Sequence, residues 1–209
     1  MQRVNHHVER MQLPDINAAA RLHCQAFPGS RSTKLGRPYV RKMFCWFVTH
    51  QPGLSLVARK DGEIVGYVVG AVDGYGRKLF RYAFFEVLLG LVIHPGLWFQ
   101  RETFLLWRSY LKGLFPQKAS NPTQLEDGPV VVRAALAGIG VDPEQQGGGI
   151  GSALVVAFED AARELGVGKL TLSVDKDNRS ARRLYDRHGW HVDSENKEAN
   201  TVHYMKVII

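Results

Sequence analysis

The sequence predicts an α/β fold, a central sheet flanked by helices with a helical insertion ahead of the strand that opens at Val130. Three observations carry this. Two helix-period segments precede a turn-linked pair of strand-like runs. Between Val130 and His188 a strand, a glycine-dense turn, a helix, a strand and a helix follow in that order. Residues 75–121, between these blocks, carry apolar positions at helical spacing.

Ile16, Ala20, Leu22 and Ala26 predict a helix from Asp15 to Phe27, capped by Asp15 and stopped by Pro28-Gly29. Val40, Met43, Phe44, Phe47 and Val48 predict a second from Gly36 to His50, with Pro38 in its first turn. Leu54–Ala58 and Ile64–Val69, joined across Asp61-Gly62, predict a hairpin. In the insertion, Tyr82–Val92 and Thr103–Phe115 predict two short amphipathic helices joined at Pro95-Gly96. Each falls well short of the roughly 20 apolar residues a membrane span needs. Asn121–Pro129 predicts a loop. Val130–Val141 predicts a strand broken near Gly138 or Gly140. Ile150, Leu154, Val155, Phe158, Ala161, Ala162 and Leu165 predict a helix ending at Gly166, followed by a strand over Leu170–Val174. A helix is expected over Asn178–His188, and closing strands over Trp190–Val192 and Val202–Val207.

With 209 residues, 45% hydrophobic and 22% charged, the chain suits a single globular domain, 1–209, rather than a disordered polymer. Cys24 and Cys45 make no disulfide framework or zinc spacing, so a cytoplasmic protein is expected. The polar opening Met1–His7 has no secretory pattern. The net charge of +7 favours an anionic partner without choosing which.

The segment Val141-Asp142-Pro143-Glu144-Gln145-Gln146-Gly147-Gly148-Gly149-Ile150-Gly151-Ser152 is the most informative. A glycine-rich entry to a helix leaves several N–H groups aimed one way, which suits a phosphate or pyrophosphate. No Lys stands between Gly151 and Ser152, so this is not a P-loop. A dinucleotide fingerprint finds Ser152 or Leu154 where it needs Gly or Ala. Alone, the cluster fits a tight strand-to-helix connection as well as an anion cradle.

Gln146-x-x-Gly149-x-Gly151 resembles the coenzyme A signature of the GNAT superfamily of acyl-CoA-dependent N-acyltransferases. Asn178-x-x-Ala181-x-x-Leu184-Tyr185-x-x-x-Gly189-Trp190 resembles that family's next helix, where Phe is commoner than Trp at the last place. Close resemblance covers roughly Leu136 to Trp190, and residues 75–121 have no counterpart in a minimal member. The resemblance implies a mixed, mainly antiparallel central sheet and acetyl-CoA or another acyl-CoA as co-substrate, with no metal. Backbone N–H groups of Gly147, Gly148, Gly149, Ile150, Gly151 and Ser152, beside Gln146, are expected at the pyrophosphate. Ile139 and Val141 are expected to offer strand-edge hydrogen bonds to the pantetheine arm, and Val141 also an oxyanion donor.

Tyr185 is expected to protonate the leaving thiolate; as a plain aromatic it would fill the core. Asn178 is expected to contact the cofactor arm, to cap its helix, or both. No carboxylate stands on the strand before the cofactor loop. Glu86, alone among Phe84, Phe85, Val87 and Leu88, is a candidate base or simply a helix-surface residue. His23, His94, His188 and His191 are candidates on chemistry alone. Cys24 is expected to pack, with a cysteine acyl relay as a remote alternative. His6-His7 lacks a third metal ligand.

The acceptor implied is the primary amine of a small molecule, since the insertion is placed to narrow the acceptor side. Two other readings keep the fold: aminoacyl-tRNA as donor, permitted by Arg179, Arg182, Arg183 and Arg187, and a non-catalytic acyl-CoA sensor. A homodimer is compatible with either.

Overall fold

The computed structural model describes residues 6–72, 74–93, 131–196 and 200–208. Strands β1 (His6–Arg10), β2 (Ser55–Lys60), β3 (Glu63–Val72), β4 (Val132–Val141), β5 (Val167–Asp175), β6 (His191–Asn196) and β7 (Thr201–Val207) form one sheet in the order β1-β2-β3-β4-β5-β7-β6. Every neighbouring pair is antiparallel except β4–β5, the parallel crossover that the strand–helix–strand order anticipates. The helices are α1 (Ile16–Ala26), α2 (Arg31–Lys34), α3 (Arg37–His50), α4 (Tyr75–Tyr82), α5 (Phe84–Ile93), α6 (Ile150–Glu164) and α7 (Arg179–Arg187).

Strand alternation divides the core into two layers. Leu136, Leu170 and Leu172 face Leu154, Val155 and Phe158 of α6. Val57, Tyr67 and Val69 face Ala19 and Ala20 of α1 with Phe44 and Phe47 of α3. Helix α6 lies close on β3 because Gly70 has no side chain: a Cβ there would stand 2.4 Å from the Phe158 ring. Buried Glu159 ties α6 to the far half of the sheet, accepting from Trp190 Nε1 at 2.8 Å and Lys206 Nζ at 2.6 Å. Tryptophan thus ends the second motif with an N–H that phenylalanine cannot supply. Removing the carboxylate leaves the buried Trp190 N–H unpaired and takes the counter-charge from half-buried Lys206, which keeps its bond to His188 O, a cost of about 3 kcal/mol.

Several boundaries differ from expectation. Strand β1 and helix α2 were not anticipated; β1 is short, polar and at a sheet edge, where periodicity is faint. The break in β4 is a bulge that leaves Ala137 unpaired, next to Gly138. Strand β5 begins earlier, at Val167, and β6 runs on through the exposed polar stretch to Asn196. The first insertion helix is α5, starting at Phe84, and α4 is an additional helix ahead of it, ending at Tyr82. The second insertion helix, the Pro95-Gly96 junction, the loop Asn121–Pro129 and His94 lie outside the described residues. No helix among the described residues is long and apolar enough to cross a membrane.

Candidate active site

Strands β4 and β5 pair only from Val132↔Val167 to Ala135↔Thr171 and then part. Beyond that point β4 stays on β3 while β5 stays on β7. The Ala137 bulge bends β4 where the separation begins. Asp142 N donates to Val65 O at 2.9 Å, which fixes the alternation of the ladder. Val141 and Ile139 fall at positions whose backbone groups point away from β3, into the gap. An extended amide-bearing chain entering the gap would find a strand edge to pair with.

The glycine turn stands at the end of this strand. Asp142 Oδ1 accepts from Glu144 N at 2.9 Å, and Lys60 Nζ donates to Gln145 Oε1 at 2.9 Å, so the approach is pinned. Gln146 is extended, and Gly147 and Gly149 both have φ of +83°, a conformation costly for any side chain. Gly149 is the N-cap of α6, and no side chain caps it. A Cβ at Gly147 or Gly149 would meet nothing within 4 Å, so the space above the turn is open. Ile150 anchors the turn by burying its side chain, leaving only its amide for a ligand. Gly151 sits against Leu184 of α7, where a Cβ would lie 3.4 Å away. The uncapped N–H groups and the helix dipole together make this turn an anion site.

Tyr185 projects from α7, with its ring 5.9 Å from those of Trp190 and Tyr204. Burial pushes its phenol up, so it stays protonated and able to donate. Tyr185 is buried, 4% exposed, and among the described residues no buried side-chain nitrogen or oxygen lacks a partner. Tyr185 also adds to the upward shift of Tyr67 on the opposite face, a shift dominated by burial and aided by Cys24.

On the α1/α3 face a cavity of about 350 Å3 adjoins the point where the strands part. Ala135 and Ala137 of β4, Ser173 of β5, Asp193 of β6 and His203 of β7 line it, with Tyr75 at the start of α4 as a wall. Ser173 Oγ and His203 Nδ1 are hydrogen-bonded at 2.7 Å. Sequence reasoning passed over this pair. The signal that finds it is alternation: buried Val202 and Tyr204 put His203 on the other face, as Leu172 and Val174 do Ser173.

The remaining candidates go elsewhere. Glu86 is not isolated: its carboxylate lies 3.7 Å from Lys42 Nζ on α3, and it does not line the cavity. His23 is buried between Tyr67 and Ser32. His188 caps the end of α7, and His191 is exposed on β6. Asn178 caps α7 through Ala181 N at 3.0 Å, which leaves its side-chain N–H groups to the solvent. Cys24 packs beside the α1/α3 core, and neither cysteine is in a disulfide. Among the described residues no cluster of His, Cys, Asp and Glu could hold a metal ion.

The family model described as the Acetyltransferase (GNAT) family matches residues 124–190. Mycothiol acetyltransferase of Kocuria rhizophila is 47% identical over 58 residues, 26% of this chain and 19% of that protein. The chain thus matches about a fifth of that relative's length. PH1933 from Pyrococcus horikoshii has the same fold with a TM-score of 0.61 at 17% identity, covering 97% of this chain and 98% of that one. The PaiA N-acetyltransferase of Thermoplasma acidophilum, solved in complex with coenzyme A, gives 0.56 at 12% identity, covering 97% and 99%. The match to the GNAT family model thus spans the glycine turn and α7, and the likeness in fold extends over nearly the whole length of the chain.

Proposed function

We propose that this protein is an acyl-CoA-dependent N-acyltransferase, most simply an N-acetyltransferase, acting on the primary amine of a small molecule. The observation that carries the reading is the β4–β5 gap headed by an uncapped glycine turn. One end offers N–H groups for a pyrophosphate, and the strand edge at Ile139 and Val141 offers pairing for an amide-bearing arm. In this reading the amides of Gly147 to Ser152 bind the diphosphate, with Gln146 flanking them and the free amide of Asn178 reaching the arm. Val141 N–H faces the oxyanion. The amine attacks the thioester carbonyl carbon directly, the carbon–sulfur bond breaks, and Tyr185 gives its proton to the departing thiolate. Acyl-CoA supplies the activated acyl group. Glu86, paired with Lys42, has no part in these steps. The cytoplasm is the compartment the reading implies.

Calorimetric titration with acetyl-CoA, followed by thiol release on adding amines, tests this. The relatives' name adds an amine of mycothiol type to the acceptors worth screening. Tyr185→Phe is expected to keep acetyl-CoA affinity within about 2-fold and to slow transfer about 100-fold. No binding of acetyl-CoA, or binding that leaves the amines untouched, refutes the enzyme reading.

A further inference from the structure

Helices α1 and α3 pack over the β3 side of their sheet face, while the cavity lies over β5, β7 and β6 on the same face. Three polar side chains from three adjacent strands meet on this floor. Ser173 and His203 are direct register partners as well as hydrogen-bonded. Asp193 occupies the bulge of β6 beside the Ser194↔His203 pair, and it makes no ion pair among the described residues. The hydrogen bond to Ser173 engages Nδ1 alone. With Nδ1–H donating to Ser173 Oγ, Nε2 keeps its lone pair. The volume sits at the lower end for ligand cavities, which suits a small molecule rather than a protein segment.

We propose that this floor is the acceptor site and takes a small primary amine in its ammonium form, with Asp193 drawing in the cation and His203 taking the proton that the nitrogen sheds as it attacks. The inference rests on the acyltransferase reading above. The ammonium first releases one proton to solvent. The neutral nitrogen then attacks the carbonyl carbon and forms the carbon–nitrogen bond. His203 Nε2 takes the second nitrogen-bound proton, the carbon–sulfur bond breaks, and the thiolate takes the proton of Tyr185. The products are an amide and a free thiol. Solvent returns a proton to Tyr185 and takes one from His203, so the cycle closes without an oxidant or a metal.

The test uses the full chain, acetyl-CoA, and glucosamine, spermidine and phenethylamine as probe amines. For His203→Gln, kcat is expected to fall about 100-fold with acetyl-CoA affinity unchanged. Asp193→Asn is expected to raise the acceptor KM about 10-fold and leave kcat within about 2-fold. Asp193 from β6 and Tyr75 from α4 are the titratable groups that share the cavity with His203, and Tyr204 from β7 also lines it. A Gln variant within about 3-fold of wild type overturns the assignment of His203 while leaving the acyltransferase reading intact. An unchanged acceptor KM in Asp193→Asn overturns the ammonium assignment. Wild-type protein that binds acetyl-CoA but acetylates none of the three amines, or fails to bind it, overturns both readings together.

Discussion

Two histidines on the same face of this sheet are hydrogen-bonded to a hydroxyl at nearly the same distance, yet the fold treats them oppositely. His23 Nδ1 is 2.6 Å from Tyr67 Oη, and His203 Nδ1 is 2.7 Å from Ser173 Oγ. The difference lies in the second nitrogen. Ser32 Oγ stands 2.7 Å from His23 Nε2, with Phe27, Phe44 and Tyr67 rings packed around the imidazole. His203 lines a cavity. Burial lowers the pKa of His23 to about 4, so at neutral pH it is a neutral packing element with both nitrogens committed. A hydroxyl beside an imidazole does not define a proton-transfer group; access to the other nitrogen does.

The sharpest way to break this contrast is truncation of each histidine in turn. His23→Ala leaves a cavity in the α1/α3 layer and strips the Tyr67 hydroxyl of its partner. A loss of about 3–4 kcal/mol is expected in urea unfolding. His203→Ala is expected to cost less than about 1 kcal/mol by the same measurement, because water fills the space. Equal losses would erase the distinction.

Acid tests the same pair without mutation. His23 binds its proton near pH 4 when folded and near its ordinary value, about 6.5, when unfolded. Between those values the unfolded chain holds more protons, so stability falls as pH is lowered from about 6.5 toward 4. The expected loss is on the order of 3 kcal/mol, and His23→Gln should abolish that part of it. Urea midpoints at a series of pH values measure it. A curve identical in wild type and variant would show that His23 is not the group responsible.

The two regions also differ in how far the sequence revealed them. The glycine turn is contiguous: its chemistry depends on φ at Gly147 and Gly149 and on the helix that follows, all within a dozen residues. The cavity floor is assembled from Ser173, Asp193 and His203, which become neighbours only through strand register. Glu86 shows the same limit from the other side. Its apolar sequence neighbours suggested isolation, but Lys42, far away in sequence, is its ion-pair partner. Glu159 is an ordinary helix carboxylate in the sequence, and its burial depends on donors contributed by Trp190 and Lys206. The mixed, mainly antiparallel sheet followed from the family resemblance, whereas β1 carries too little apolar contrast to announce itself.

The hydroxyl partners sharpen the contrast at smaller amplitude. Tyr67→Phe keeps the ring over Gly140 but removes the hydroxyl from His23, leaving a buried imidazole nitrogen unpaired. About 1–2 kcal/mol of stability should be lost, read as a lower urea midpoint at unchanged slope.

Ser173→Ala is the counterpart on the open floor and carries the smallest stability effect. Water in the cavity can replace the hydroxyl at His203 Nδ1, so no buried group is orphaned, and the expected change is under about 0.5 kcal/mol. The ring loses the partner that selects its tautomer and orientation. Acyl transfer should therefore slow about 3- to 10-fold while stability stays flat. Tyr67→Phe should do the reverse, lowering stability with little change in transfer per folded molecule. Thermal melts and steady-state kinetics on the same two preparations decide the matter: if Ser173→Ala loses as much stability as Tyr67→Phe, the open pair is as structural as the buried one.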